Sequence, residues 1–171
     1  MALIVESGSG VAGAESYAST AFADTYWGAR THLASSSTWL AATTAHKEGA
    51  LREATAFVDA TYAPYYRGIQ AGTVQGLLWP RSGAVDDAGY DLPGLPVAMQ
   101  NAACELAARA LAATLAPDLA RGGAIKTEKV DVLSVTYFDG AQAGTTYGVV
   151  EGIIQSLLDG TQGDNPVWLW A

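Results

Sequence analysis

Two alanine-rich segments carry apolar residues at helical spacing, and this pattern limits the fold more than any other feature. The first should begin after a cap at Thr43 or Thr44 and run to about Tyr62. The second should run from about Pro96 to Leu115, with proline in its first turn. The apolar stripe of the first consists of Ala50, Leu51, Ala54, Phe57, Val58 and Thr61. The second has a broad small-residue face that allows close helix packing, formed by Val97, Ala103, Cys104, Ala107, Ala110, Leu111 and Leu115.

Weaker patterns predict the remaining elements. Ser19 should cap a helix from about Thr20 to Ala29, a serine-rich link follows it, and a last helix should cover about Val149 to Leu158. The β-branched stretch Val130–Tyr137 predicts a strand, with a bulge at Val132 and Leu133 that would switch its inward face. We therefore expect a mainly α single domain of about four helices, with a small β element over about residues 126–147 and extended termini.

The predicted domain organisation has three parts: an N-terminal extended arm over residues 1–18, a helical domain over 19–159 and a C-terminal docking tail over 160–171. Within the domain, Tyr65–Leu95 is a long connection rich in glycine and proline, and loops of this length are usually functional. It contains the apolar and basic segment Leu77–Gly83.

The net charge of −8 argues against binding nucleic acid, because affinity for phosphates comes largely from Lys and Arg. An acidic wall would instead keep passing DNA mobile. The first residues lack a basic region of a signal peptide, and no apolar run approaches the ~18 residues of a membrane span. We expect synthesis in a reducing cytoplasm and no membrane partner.

Residues suited to catalysis, metals or cofactors are few. Cys104 lies on an apolar helical stretch and should be a buried, inert thiol. His32 and His46 lack metal-ligand spacing and should be solvated. The pair Asp86 and Asp87 should form a solvated turn, since two adjacent acids lack the ligand count of a calcium loop. We expect no enzyme activity and no cofactor.

One segment matches a dinucleotide-binding pattern by its letters alone. Gly8-Ser9-Gly10-Val11-Ala12-Gly13 fits GxGxxG, but that motif needs a preceding strand and a helix that opens at the third glycine. The residues that follow predict helices without a second strand. We therefore expect no nucleotide site here.

The chain ends in an apolar peptide after a polar spacer. Val167, Trp168, Leu169, Trp170 and Ala171 form it, and tryptophan is enriched where partners bind most tightly. Two interpretations are open: the peptide folds back over the domain, or it docks into a neighbouring subunit.

Four segments together resemble the head-to-tail adaptor (connector) proteins of tailed bacteriophages, a group also labelled DnaT-like single-stranded-DNA-binding proteins. The most distinctive is Trp79-Pro80-Arg81-Ser82-Gly83. In chain order the segments are Tyr17-Ala18-Ser19 with Ala23-Asp24-Thr25-Tyr26-Trp27, then Lys47 to Thr55, then Leu78 to Gly83, and then Ala120 to Gly123 leading into Lys126 to Val130.

The resemblance implies a structural subunit of the virion neck, assembled in the host cytoplasm into a ring, typically of twelve copies, under the portal protein. Such a ring extends the DNA channel, lets the genome pass without specific binding, and carries a stopper or tail-completion protein. By position, residues 167–171 would dock into the portal. Leu78, Trp79, Pro80 and Arg81 would form an inter-subunit loop, although Arg81 could equally cap a helix of its own chain. A single-stranded-DNA-binding role is the alternative function.

Overall fold

A computed structural model describes residues 2–116 and 147–159, together with the backbone of 127–130 and 133–136. It confirms a mainly α fold with a small β element. The helices in these ranges are α1 (Thr20–Gly28), α2 (Ala34–Ala41), α3 (Thr44–Tyr62), α4 (Val97–Ala110) and α5 (Gly148–Ile154); the strands are β1 (Ile69–Gln70), β2 (Arg81–Ser82), β3 (Thr127–Val130) and β4 (Leu133–Thr136). β1 pairs with β2 and β3 with β4, both antiparallel.

Side-chain caps fix where two of the helices begin. The hydroxyl of Ser19 accepts a hydrogen bond from the Phe22 N–H at 3.1 Å, and the hydroxyl of Thr43 accepts one from the His46 N–H at 3.4 Å. Each cap satisfies an amide of the first turn that has no partner within the helix. The predicted starts of α1 and α3 are therefore confirmed.

The helix α2 lies in the serine-rich segment that was predicted to be a link. Its Ser36 hydroxyl donates to the carbonyl oxygen of Trp27 at 2.8 Å, and its Trp39 is fully buried. The Trp39 indole N–H also donates to Asp24 Oδ1 at 2.8 Å. Burial of a large ring outweighs the weak helix propensity of serine, so the described residues hold five helices instead of about four.

Other boundaries also differ from the prediction. The predicted bulged strand over Val130–Tyr137 contains all of β4 but only the last residue of β3, and Val130 pairs with Leu133 across the hairpin. Helix α4 ends at Ala110, and α5 gives way to a 3₁₀ turn over Gln155–Leu157. Val97 is 58% exposed, because it lies in the first turn of α4 and the buried face begins with Met99.

The core forms where α3 packs against α4, which α1, α2 and α5 also contact. The small-residue face of α4 is confirmed: Ala102, Ala103 and Ala107 are fully buried. Small side chains let the helix axes approach closely, and large rings then fill the space around them. The fully buried rings of this core are Trp27, Trp39, Trp79 and Tyr17.

The segment predicted as an N-terminal arm lies against this core over residues 2–18. A short parallel bridge joins Val5 to Ser16, and Tyr17 and Ala18 are fully buried. None of the helices within the described ranges is long and apolar enough to cross a membrane.

Candidate interaction surface

The Leu78–Arg81 segment lies largely inside its own chain. Trp79 is fully buried, Pro80 is buried, and the peptide bond between them is cis. The Trp79 ring packs edge-on against Tyr66, with ring centroids 6.1 Å apart. These two residues are therefore part of the domain core. A contribution of Leu78–Arg81 to a subunit interface stays a prediction.

A polar network around Asp59 of α3 holds this segment in place. The Asp59 carboxylate accepts hydrogen bonds from the Tyr17 hydroxyl at 2.7 and 2.9 Å, from the Tyr66 hydroxyl at 3.3 Å and from the Leu78 N–H at 3.2 Å. The Tyr17 hydroxyl in turn accepts from the Trp79 N–H at 3.2 Å. One carboxylate thus joins the N-terminal segment, α3 and the long connection.

Burial controls the electrostatics of the network. Desolvation raises the pKa of Asp59 above its ordinary value, although the hydrogen bonds from Tyr17, Leu78 and Tyr66 act in the opposite direction. Desolvation, followed by the nearby Asp59 charge, also raises the pKa of Tyr17 and of Tyr66. Both phenols therefore stay protonated and act as donors. Asp59 of α3 is thus held by donors from two other segments of the chain.

Arg81 caps backbone carbonyls of its own chain. Its guanidinium donates to the carbonyl oxygens of Arg67 at 2.7 Å and Gly68 at 2.6 Å, and lies 5.7 Å from the centre of the Tyr66 ring. Of the two roles left open for Arg81, the structure shows the intramolecular one. The capped carbonyls belong to the turn after α3, just before β1.

A second carboxylate fills the glycine-rich loop that matches GxGxxG. Oε1 of Glu6 accepts hydrogen bonds from the N–H groups of Ser7, Gly8 and Gly10 at 2.8–3.0 Å, and Oε2 accepts from Val11 at 2.8 Å. Glu6 is only 2% exposed. Backbone amides arranged in this way bind anions, and here the anion is the chain's own side chain. The four amides that the Glu6 carboxylate occupies are therefore not available to a phosphate.

The acidic pair in the long connection forms a turn, as predicted. Asp86 Oδ1 accepts from the N–H groups of Ala88 and Tyr90, each at 2.9 Å. Asp87 forms an ion pair with Arg67. Within the described ranges, no group of three acidic, histidine or cysteine side chains is placed to hold a metal ion.

Every Arg and Lys of residues 2–116 is engaged by its own chain, and 147–159 contains none. Lys47, Arg52 and Arg109 form ion pairs of 2.7–2.9 Å with Asp24, Glu15 and Glu105. Arg67 pairs with Asp87, Arg81 caps carbonyls, and Arg30 donates to the Tyr26 carbonyl at 2.8 Å while it lies over the Tyr26 ring. This part of the chain therefore presents no cationic groove.

The remaining candidate residues are placed as follows. His32 and His46 are exposed, as expected. Cys104 is buried, which confirms that prediction, and burial raises the pKa of its thiol to about 12. Residues 167–171 lie outside the described residues. The described ranges contain two open depressions, one of about 190 Å³ beside Pro80 and one of about 370 Å³ between α3 and α4.

The exposed surface of the long connection is apolar in places. Ile69, Val74 and Tyr90 are 72–76% exposed. These are the most exposed large apolar side chains of the connection, whereas Trp79 and Pro80 are buried. The sequence motif drew attention to Trp79 but gave no sign that its ring is buried.

Sequence reasoning missed Glu6 and Asp59 as organising residues. Glu6 carried a signal: an acidic residue directly before a glycine-rich loop, whose amides would otherwise lack partners. The signal for Asp59 was weak, because it consisted only of its position next to Val58, beside the apolar stripe of α3. Its partners Tyr17 and Leu78 are 42 and 19 residues away, so no local pattern reveals them.

A family model described as "Putative DnaT-like ssDNA binding protein" matches residues 1–169. This agrees with the second label of the group that the sequence motifs resemble. No curated protein and no solved structure matches the chain.

Proposed function

We propose that this chain, which belongs to the DnaT-like single-stranded-DNA-binding protein family, works as a structural head-to-tail adaptor of a tailed phage. In this role it forms a homo-oligomeric ring, a dodecamer, beneath the portal protein in the virion neck. The ring extends the DNA channel and connects the portal to a stopper or tail-completion protein. It is assembled in the host cytoplasm and performs no catalysis.

The state of the basic side chains carries this proposal. A protein that binds DNA needs Lys and Arg side chains that are free to displace counterions from the phosphates. In residues 2–116 each of these side chains is already neutralised by a carboxylate or held by backbone carbonyls. With a net charge of −8, such a subunit suits a channel through which DNA slides.

The motif order supports the adaptor over other structural roles. The Trp79-Pro80-Arg81 segment, its most distinctive part, belongs to the core and to the carbonyl cap that fixes the turn before β1. This segment therefore contributes to the fold of the subunit. The exposed Ile69, Val74 and Tyr90 of the same connection remain available to neighbouring subunits or tail proteins.

The test is assembly with purified portal rings. The protein is mixed with portal, and the complex is isolated by gel filtration and viewed by negative-stain electron microscopy. We expect a second ring stacked coaxially on the portal ring. The ratio of adaptor to portal subunits in the complex should equal the ratio of the subunit numbers of the two complete rings. A protein that stays unbound and monomeric at all concentrations with portal present would overturn the proposal.

Single-stranded-DNA binding is the second candidate, and the family description favours it. Arg121, Lys126 and Lys129 lie where no side chain is described, and they are the basic residues that such binding would use. Fluorescence anisotropy with a labelled oligonucleotide at low salt distinguishes the two functions. The adaptor proposal expects no salt-dependent binding; a signal that falls steeply as salt rises, and is lost in a Lys126→Ala, Lys129→Ala variant, would favour this second function.

A further inference from the structure

The β3–β4 hairpin is the longer of the two antiparallel pairs in the described ranges, with four residues in each strand. Its strands pair with each other, and none of the described helices packs extensively on either strand. A single two-stranded hairpin is marginally stable in water. It gains stability when it packs against another surface or joins a larger sheet.

The register of the hairpin gives it two faces that differ in polarity. Residues that pair directly lie on the same face of an antiparallel sheet, and successive residues alternate between faces. Val130 pairs with Leu133 and Glu128 with Val135, which places three apolar residues on one face. The other face is polar and holds Thr127, Lys129, Ser134 and Thr136.

The strands that form the two outer edges of the hairpin also differ in charge. Each strand has one edge whose backbone groups pair with no strand of the described chain, and such edges are templates for another strand. The β3 sequence contains Glu128 and Lys129, whereas β4, Leu133-Ser134-Val135-Thr136, has no charged residue. The edge of β4 thus lacks the charge that commonly prevents strand addition.

We propose that the β4 edge of one copy pairs with the β3 edge of the next, so that the hairpins form a continuous antiparallel sheet around the oligomer. This inference rests on the proposed ring. Along such a sheet β3 and β4 alternate in direction, so every junction is antiparallel, like the hairpin itself. A head-to-tail contact that closes leaves no edge unpaired.

The sequence argues against symmetric pairing of two β3 strands. Strands that keep the apolar residues on one face can shift only by an even number of residues. Symmetric β3 pairs centred in the strand then place Glu128 opposite Glu128 or Lys129 opposite Lys129. Like charges directly opposite each other destabilise a sheet. Pairing of β3 with β4 avoids this, because β4 is uncharged.

Disulfide trapping tests which edges meet. Chains carrying Lys129→Cys are mixed with chains carrying Ser134→Cys or Thr136→Cys under a mild oxidant. The two positions test two registers between neighbours that differ by two residues. The native Cys104 is buried and does not compete. We expect linked heterodimers several-fold above the level with Ser37→Cys, an exposed residue of α2. Links within Ser134→Cys chains alone, in excess of the mixed links, would show symmetric β4 pairing and overturn the inference.

Replacing residues 127–136 with a Gly/Ser linker of equal length separates this inference from the proposed function. The far-UV circular dichroism and cooperative unfolding should persist, while ring formation, measured by mass photometry, should be lost. Rings that survive the replacement would overturn the hairpin pairing and leave the adaptor function standing. Absence of rings from the unmodified protein, with and without portal, would instead contradict the adaptor function.

Discussion

The hydroxyl of Tyr17 lies 2.7 Å from Oδ1 of Asp59 and also accepts the N–H of Trp79. Two segments 42 residues apart along the chain are joined by this bond, and the most distinctive motif of the sequence is attached to the same oxygen. The motif's position therefore depends on a phenol and a carboxylate that lie outside it.

The Tyr17→Phe substitution should lower the free energy of unfolding by about 1–3 kcal/mol, because it leaves Asp59 and the Trp79 N–H underpaired in a buried place. Urea unfolding followed by tryptophan fluorescence measures this. Tyr90→Phe is the matched control, since Tyr90 is 73% exposed, and should change the free energy by less than about 0.5 kcal/mol. Equal effects of the two substitutions would contradict the network.

The Asp59 carboxyl should make stability depend on pH. Its pKa is raised in the folded state, so the folded protein holds the proton more tightly than the unfolded chain does. The stability from this group is present below the ordinary pKa of 3.8 and is lost as pH rises through the folded pKa. The Asp59→Asn variant has no carboxyl group at this position, so its stability lacks this dependence on pH. The free energy of unfolding of the wild type minus that of the variant should fall as pH is raised from about 4; a constant difference would contradict the raised pKa.

Glu6→Gln should destabilise the N-terminal segment by about 1–3 kcal/mol, because an amide group replaces a carboxylate oxygen that accepts a backbone N–H. Chemical unfolding and the rate of proteolysis within residues 7–13 are the measurements. Glu48→Gln is the control: its ion pair with Arg52 is 3.9 Å long, and such a surface pair contributes less than about 1 kcal/mol. A Glu6 variant as stable as the Glu48 variant would show that the loop amides do not need the carboxylate.

Arg81→Ala should lower the free energy of unfolding by about 1–2 kcal/mol, since three backbone carbonyls lose a charged donor. Arg81→Lys should restore only part of this, because an ammonium lacks the planar fork of the guanidinium. The loss should be the same at every protein concentration at which the chain is monomeric. A loss that appears only in the oligomer would assign Arg81 to the subunit interface instead.

Deletion of Val167–Ala171 should abolish docking onto portal rings while the domain stays folded. Trp168→Ala and Trp170→Ala should each weaken portal binding by about 2 kcal/mol or more, the usual cost of removing a buried interface tryptophan. Surface plasmon resonance on immobilised portal measures the affinity. Unchanged affinity of the truncated protein would exclude the tail from docking, and a large drop in its unfolding free energy would indicate that the tail folds back on the domain.

Helix positions were largely predictable because their causes are local. The Ser19 and Thr43 caps bond to amides three residues away, and the stripe of α3 repeats at the helical period. The helix α2 was missed because its cause is distant: serines favour a link, and only the burial of Trp39 against the other helices makes a helix there. The predicted strand over Val130–Tyr137 contains β4, whereas its partner β3 was not predicted, because Thr127-Glu128-Lys129 shows no apolar alternation.

Composition and short-range spacing were enough to predict the α-rich class, the small-residue face of α4 and the burial of Cys104. Which polar residues hold separate segments of the chain together became visible only in the tertiary structure. Glu6 fills a loop, Asp59 collects donors from three segments, and Arg81 caps the turn that follows α3. A carboxylate in sequence looks the same whether water or backbone amides will surround it. Only the folded chain, which removes the water and supplies the donors, makes that distinction.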